Sequence, residues 1–167
     1  LVERMGGKAE FEHRLDMMFA LNDSSSAARL LYWHGNEPCH QIPFLYSYIG
    51  KPEKTKRVVD NILKTEYNDT PGGLSGNDDA GQMSAWYMFA AMGFYPVCPS
   101  TPYYIIGAPS LDRVTFNLEN KKQFEIIRQK SINNSNFVRL ILNGKQLDNC
   151  QLSHGDIING GKLIVKE

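Results

Sequence analysis

A chain of 167 residues, 42% hydrophobic and 11% aromatic, suits one medium domain or two small ones and carries enough apolar side chain to bury a core. Eighteen basic residues balance eighteen acidic ones, so bulk electrostatics draw the chain neither to nucleic acid nor to an anionic membrane, and a neutral partner is the natural one. No run approaches the roughly 20 apolar residues of a membrane helix, and Leu1 to Glu10 lack the basic start and apolar stretch of a signal peptide.

The chain begins without Met, and Val2 to Met5 read as the end of an element that starts upstream. Phe11, Leu15, Met18 and Phe19 recur at steps of three and four and predict a first helix. Val58, Val59, Ile62 and Leu63 predict a second behind Pro52, a residue suited to a first helical turn. A third is expected from about Met83 to Met92, with Gly93 as its C-terminal cap and Pro96 blocking continuation. Three such helices do not close a core around their loops, which predicts either self-association or an upstream part of a longer protein that covers their free faces. Beyond Pro102 the pattern changes to short β-type runs at Tyr103 to Ile106, Val114 to Leu118, Phe124 to Arg128, Phe137 to Leu142 and Leu163 to Lys166. Glu119-Asn120, Asn133-Asn134, Asn143-Gly144 and Gly160-Gly161 are the turns between them, Asn143-Gly144 being the strongest hairpin signal. The expected class is α+β: helices over residues 1–100, antiparallel β-structure over 101–167, and a stiff crossing at Pro96, Pro99 and Pro102 that leaves the two parts in contact. Cys39, Cys98 and Cys150 form neither a CxxC pair nor an even set and are expected to be packed free thiols.

Two loops carry the chemistry-bearing residues. Trp33-His34-Gly35-Asn36-Glu37-Pro38-Cys39-His40-Gln41 gathers an aromatic, two imidazoles, a carboxylate and amides, and Pro38 forbids a helix through them. One reading makes Asn36 or Glu37 a mere cap for a helix after Pro38. Zinc held by His34, Glu37 and His40 is disfavoured, because the spacing does not set both imidazoles on one helical face. The second loop, Gly72 to Gln82, places Asp78 and Asp79 before the third helix, where amide donors and the helix dipole are expected to keep their pKa low. Asp79 with Gln82 also reads as a capping box, but capping does not require Gly72, Gly73, Gly76 and Gly81, whereas a backbone approached by a ligand does. An EF-hand loop, a phosphate loop and a GxSxG elbow are all absent, and His13 and His154 stand alone as solvated or packed residues. Carboxylates and amides among Tyr32, Trp33, Tyr46, Trp86 and Tyr95 favour a carbohydrate over a phosphate ester, with most of the aromatics in the core and one or two under a sugar ring.

The segments GNEPCHQIPFLYSYIGKPEKT and GGLSGNDDAGQMSAWYMFAAMGFYPVCPS closely resemble the C-terminal part of the catalytic region of glycoside hydrolase family 92, and LILNGKQL to LSHGDIINGGKL resembles that family's closing β-structure. The resemblance covers nearly the whole chain, and GNDDAGQMSAWY is its most specific block. It implies the last segment of an exo-acting α-mannosidase, α-1,2-mannosidase-like, built from an N-terminal β-sandwich and a large (α/α) barrel, inverting, helped by bound Ca2+, and exported to the periplasm or beyond. Residues 1–100 then supply barrel helices and active-site loops.

Within that resemblance Asp79 matches the general base, with Asp78 beside it in support. Family members often carry an acidic residue two positions earlier; this chain has Asn77 there, so no base role passes to Asn77, which joins Trp33, Asn36, Glu37 and His40 among the substrate-binding residues. Glu37 and Asn36 are also the implied calcium ligands. The family's general acid sits in an upstream motif with no match here, so the 167 residues alone are expected to be inactive. The rival reading is a non-catalytic carbohydrate-binding or assembly module, and linkage preference rests on outer-pocket loops that lie mostly upstream.

Overall fold

The computed structural model describes residues 1–20, 31–130 and 138–167. The expected Asn133-Asn134 turn and the start of a strand at Phe137 lie outside the described residues.

Helix α1 (Gly7–Met18) turns Phe11 and Leu15 inward, and α2 (Leu45–Tyr48) is a single turn that buries Tyr46 and Ser47. Helix α3 (Pro52–Thr65) starts on its proline and buries Val58, Val59 and Ile62. Its Lys54 reaches back to α1, pairing with Glu12 and Asp16 at 2.7 Å each, while the Tyr46 hydroxyl donates to Asp16 at 3.0 Å. An ion cluster with a hydrogen-bonded floor of this kind fixes helix register. Helix α4 (Gln82–Met92) is apolar almost all round and drives Met83, Trp86 and Ala90 fully into the interior. It ends at Gly93, whose φ of +93° places its N–H 3.0 Å from the carbonyls of Phe89 and Ala90. A side chain there would also strike the backbone of Pro109 at 2.6 Å, so the residue serves both the cap and the close packing of the next segment. Phe11, Leu15, Phe44, Tyr46, Val58 and Trp86 belong to one core, which Ile105 of the β-part completes.

The strands form two sheets. β1 (Phe94–Tyr95), β2 (Tyr103–Ile106) and β7 (Gln151–Ser153) make an antiparallel set in the order β1-β2-β7. The other sheet runs β3 (Arg113–Asn117), β4 (Gln123–Gln129), β8 (Gly161–Lys166), β5 (Arg139–Leu142) and β6 (Lys145–Gln146). The α+β class holds, with one pair, β4 and β8, running parallel inside the otherwise antiparallel order. The chain leaves this sheet after β6, pairs β7 with β2, passes through α5 (His154–Ile158) and re-enters at the centre. A return through a helix, unlike a tight turn, delivers a strand parallel to an earlier one. Asn143 and Gly144, at φ +50° and +83°, form the β5–β6 turn, and the Asn143 side chain accepts from Lys162 N at 2.8 Å. Phe94, Ile106, Phe124, Leu152, Leu163 and Val165 belong to the second core, and Phe89 of α4 packs against both.

The cysteines are free, but only Cys150 is fully packed, its thiol pushed up to about 11 by burial. Cys98 is exposed, and hydrogen bonding from Ser100 draws its thiol below the ordinary range. The expectation of three packed thiols therefore fails at Cys98, where the Pro-rich crossing is laid on the surface. Iodoacetamide at neutral pH is expected to alkylate Cys98 first and Cys150 only on unfolding, as read by peptide mass. Equal rates at the two residues in the folded chain would contradict this packing.

Candidate functional site

The candidate site is the meeting of the two loops, and glycine makes the meeting possible. Gly35 and Gly76 lie backbone against backbone: a side chain at Gly76 would stand 2.8 Å from Gly35 Cα, and one at Gly35 would overlap the Ser75 carbonyl. Trp33 closes the same junction by donating its indole N–H to Ser75 O at 3.2 Å, with the ring itself 60% exposed. An indole fixed by its polar edge and open on its surface is a ready platform for a sugar ring.

The first loop ends in a short 3-10 turn over Glu37–Cys39. No side chain caps it; the Asn36 amide donates to Cys39 Sγ at 3.2 Å instead. Beneath it His34 and His40 are each 1% exposed, their rings stacked with centroids 4.7 Å apart. The His40 ring lies 3.0 Å from His34 O through Nε2 and 3.2 Å from the Gln82 amide through Nδ1, while Trp86 donates to His40 O at 2.8 Å. His40 is therefore part of the floor, with both nitrogens engaged, and does not line the surface where its substrate-binding assignment set it. Burial, with His40 alongside, brings the His34 imidazole down to about 3, and burial lowers His40 too.

The second loop approaches α4 through three successive left-handed residues, Asp79 at φ +45°, Ala80 at +58° and Gly81 at +97°. Outside glycine such backbone costs on the order of 1 kcal/mol or more, and it persists where surrounding contacts dictate it. The expected Asp79–Gln82 capping box is not formed. Gly81 is the N-cap, and Gln82 turns inward to His40 and Tyr95. Asp78 does the capping, its Oδ1 accepting from Ser84 N at 2.8 Å and Ser84 Oγ at 2.9 Å. That frees Asp79 to project outward, exposed, where its carboxyl shares a hydrogen bond with half-buried Glu37.

The pairing reverses the expected electrostatics. The hydrogen bond to Glu37, then its negative charge, holds the Asp79 carboxyl above the usual carboxylate range, whereas the Glu37 backbone amide and then Asp79 hold Glu37 below it. The two carboxyls titrate as one pair, Asp79 shifted up and Glu37 down. Like charges in contact raise Asp79, and the side-chain bond from the helix end, Ser84 N–H, goes to Asp78 instead.

The loops thus bring Trp33 to Ser75 and Glu37 to Asp79, with exposed Asn36 and Asn77 next in sequence to the touching Gly35 and Gly76, and leave Asp78 and His40 in supporting positions. Sequence reading missed Tyr67, which hydrogen-bonds His34 Nε2 at 2.6 Å and donates to Met83 O at 3.1 Å. It lies 33 residues from His34, and nothing local marked it.

Gly76→Ala is expected to destabilise the chain by about 1–3 kcal/mol in urea titration, since backbone opposes the added methyl. Gly72→Ala, facing open space, is expected to change it by less than about 0.5 kcal/mol. Equal effects would contradict the loop junction.

The model of the glycosyl hydrolase family 92 catalytic domain matches residues 1–166. Over 96% of this chain and 22% of its own, the family 92 alpha-mannosidase BT3965 of Bacteroides thetaiotaomicron is 42% identical, with a TM-score of 0.78. The inverting mannosidase BT2199 of the same organism is 34% identical over 98% of this chain and 25% of its own, also at 0.78. An uncharacterized secreted glycosidase of Arthroderma benhamiae is 31% identical over 98% of this chain and 20% of its own length. The 167 residues span about a fifth to a quarter of each of these relatives. With residues 1–166 matched by the family model, the chain belongs to glycosyl hydrolase family 92.

Proposed function

We propose that this chain supplies the water-activating side of an exo-acting, inverting α-mannosidase, with Asp79 as general base. The observation that carries the reading is the Glu37–Asp79 carboxyl pair formed where the two loops meet, with Asp79 exposed and held above the usual carboxylate range by Glu37. A base works best when its proton affinity is raised without being buried beyond reach of water, and Asp79 is exposed. Glu37 orients that carboxyl and keeps it basic, Asp78 pins the helix end behind it, and Trp33 offers its face to the sugar. Asn36 and Asn77, both exposed, stand where amides can bond sugar hydroxyls.

Glu37 does not serve as the matching acid. An inverting pair stands roughly 6.5–9.5 Å apart to leave room for water and the scissile bond, whereas Glu37 and Asp79 are in hydrogen-bond contact. The acid in this reading comes from another part of a longer polypeptide, and the 167 residues alone release no mannose. That terminal α-linked mannose is the substrate is supported by the mannosidases among the relatives, BT3965 having also been solved in complex with mannoimidazole. Export to the periplasm or beyond is supported by the relative described as secreted.

Calcium fits the donor chemistry in part. Glu37 and Asn36 offer hard oxygens, the type calcium takes, but no group of three or more His, Cys, Asp or Glu side chains gathers for a metal among the described residues. They would hold the ion on one side, the remaining ligands being water, sugar hydroxyls or groups from elsewhere in the polypeptide. Bound there, calcium supplies a template and a Lewis acid for vicinal hydroxyls.

The rival reading, a carbohydrate-binding or assembly module, draws on exposed Met17, Tyr87 and Met88, helix residues suited to cover by the rest of the polypeptide or a second copy.

In the full-length enzyme Asp79→Asn is expected to lower kcat by about 10²–10⁴-fold with KM little changed, measured by mannose release from α-1,2-mannobiose. Unchanged kcat removes Asp79 from the mechanism. Calorimetry of calcium binding to the same enzyme is expected to show the affinity weakened by Glu37→Gln; equal affinity would remove Glu37 from the calcium shell.

A further inference from the structure

Under the two loops lies a set of buried polar groups that the proposed chemistry does not use, and their donors and acceptors can be assigned one by one. A backbone carbonyl only accepts, so the Tyr67 hydroxyl proton points to Met83 O, 3.1 Å away. Its oxygen then accepts from His34 Nε2 at 2.6 Å, which places the ring proton on Nε2. His34 Nδ1 is left as an acceptor for the Tyr32 hydroxyl at 2.9 Å. The same logic holds for His40. Its Nε2 donates to His34 O at 3.0 Å, and Nδ1 accepts from the Gln82 amide nitrogen at 3.2 Å. The second hydrogen of that amide goes to the Tyr95 oxygen at 3.3 Å. The stacked rings, 4.7 Å between centroids, agree with two neutral imidazoles, since two buried like charges at that separation would repel strongly.

Both chains of hydrogen bonds end on the first turn of α4, at Gln82 and Met83, and both begin in the residues that bracket Glu37. Asp79 lies three residues before Gln82 on the same continuous backbone. The histidines therefore tie the loop that carries Glu37 to the helix whose start carries Asp79.

We infer that His34 and His40 are positioning residues, two neutral Nε2–H imidazoles that fasten the Glu37 loop to the first turn of α4 and so set where Glu37 stands against Asp79. Their role rests on the reading of Glu37 and Asp79 as the working pair. Neither imidazole has a nitrogen left over for sugar, metal or proton transfer, so their effect passes entirely through the geometry of the loops.

Long-range 15N–1H NMR on the 15N-labelled chain reads the tautomers without any substitution. At neutral pH both rings are expected to show a protonated Nε2 and a bare, accepting Nδ1; an Nδ1–H tautomer or an imidazolium at either position overturns the inference. In the full-length enzyme, Tyr67→Phe removes only the hydroxyl between His34 and Met83, and it is expected to lower kcat about tenfold or more while KM moves less than about twofold. His40→Gln keeps a donor for His34 O and is expected to retain more of kcat than His40→Leu, which keeps none. Full kcat in folded Tyr67→Phe, with Asp79→Asn inactive, overturns the positioning role and leaves the catalytic reading standing. Full kcat in Asp79→Asn overturns the catalytic reading itself, and the NMR result then stands or falls separately.

Discussion

The approach of Gly35 to Gly76, backbone against backbone, is the constraint on which the rest of the site depends. No other residue type fits at either position, because the first side-chain carbon would sit within 3 Å of the opposite main chain. Once the loops touch there, the Trp33 indole reaches Ser75 O, Glu37 reaches Asp79, and left-handed backbone at Asp79 and Ala80 becomes the path that delivers the chain to α4. The strain of that path lies at the residue whose carboxyl faces solvent, which is where fold stability is commonly spent on pre-organisation.

What holds the approach in place is a floor of aromatic and polar groups around Trp86, itself fully buried. Tyr67 stacks parallel to Trp86, His34 meets it edge-on, and the Trp86 N–H bonds His40 O. Such a floor is costly if any member lacks a partner and rigid when all are satisfied. The imidazoles under the site bond at every nitrogen, so the floor sets positions and contributes no charge of its own. The surface above it then needs only two carboxyls. Contact between them separates their proton affinities, one acid site becoming the stronger acceptor and the other staying ionised.

Much of this was legible from residue order, for reasons that differ by element. Val58, Val59 and Ile62 repeat at helical spacing behind Pro52, and Asn143-Gly144 can adopt little except a hairpin turn, so α3 and the β5–β6 connection follow from local rules. The glycines around Asp79 were expected to admit a ligand, but Gly76 and Gly73 meet the chain's own backbone, at Gly35 and Asn68, while Gly72 and Gly81 face open space. The division of labour between Asp78 and Asp79 was not readable, because a capping box and a displaced cap six residues from Ser84 use the same residue types. Burial of His40 was equally hidden: its partners, Gln82 and the His34 carbonyl, are fixed by contacts 42 residues apart and by a loop that folds back on itself. The parallel β4–β8 pair depends on a detour through β7 and α5, which no local pattern in Leu163 to Lys166 records.

The most direct test of the central claim, that Glu37 and Asp79 act as one coupled unit, is a double-mutant cycle in the full-length enzyme. kcat/KM for α-1,2-mannobiose is measured in Glu37→Gln, Asp79→Asn and the double variant. Coupling means that the double variant loses about as much as the worse single one, because each substitution already removes one of the two carboxyls whose proton affinities depend on each other. A double variant whose loss equals the product of the two single losses would show independent residues and contradict the paired site.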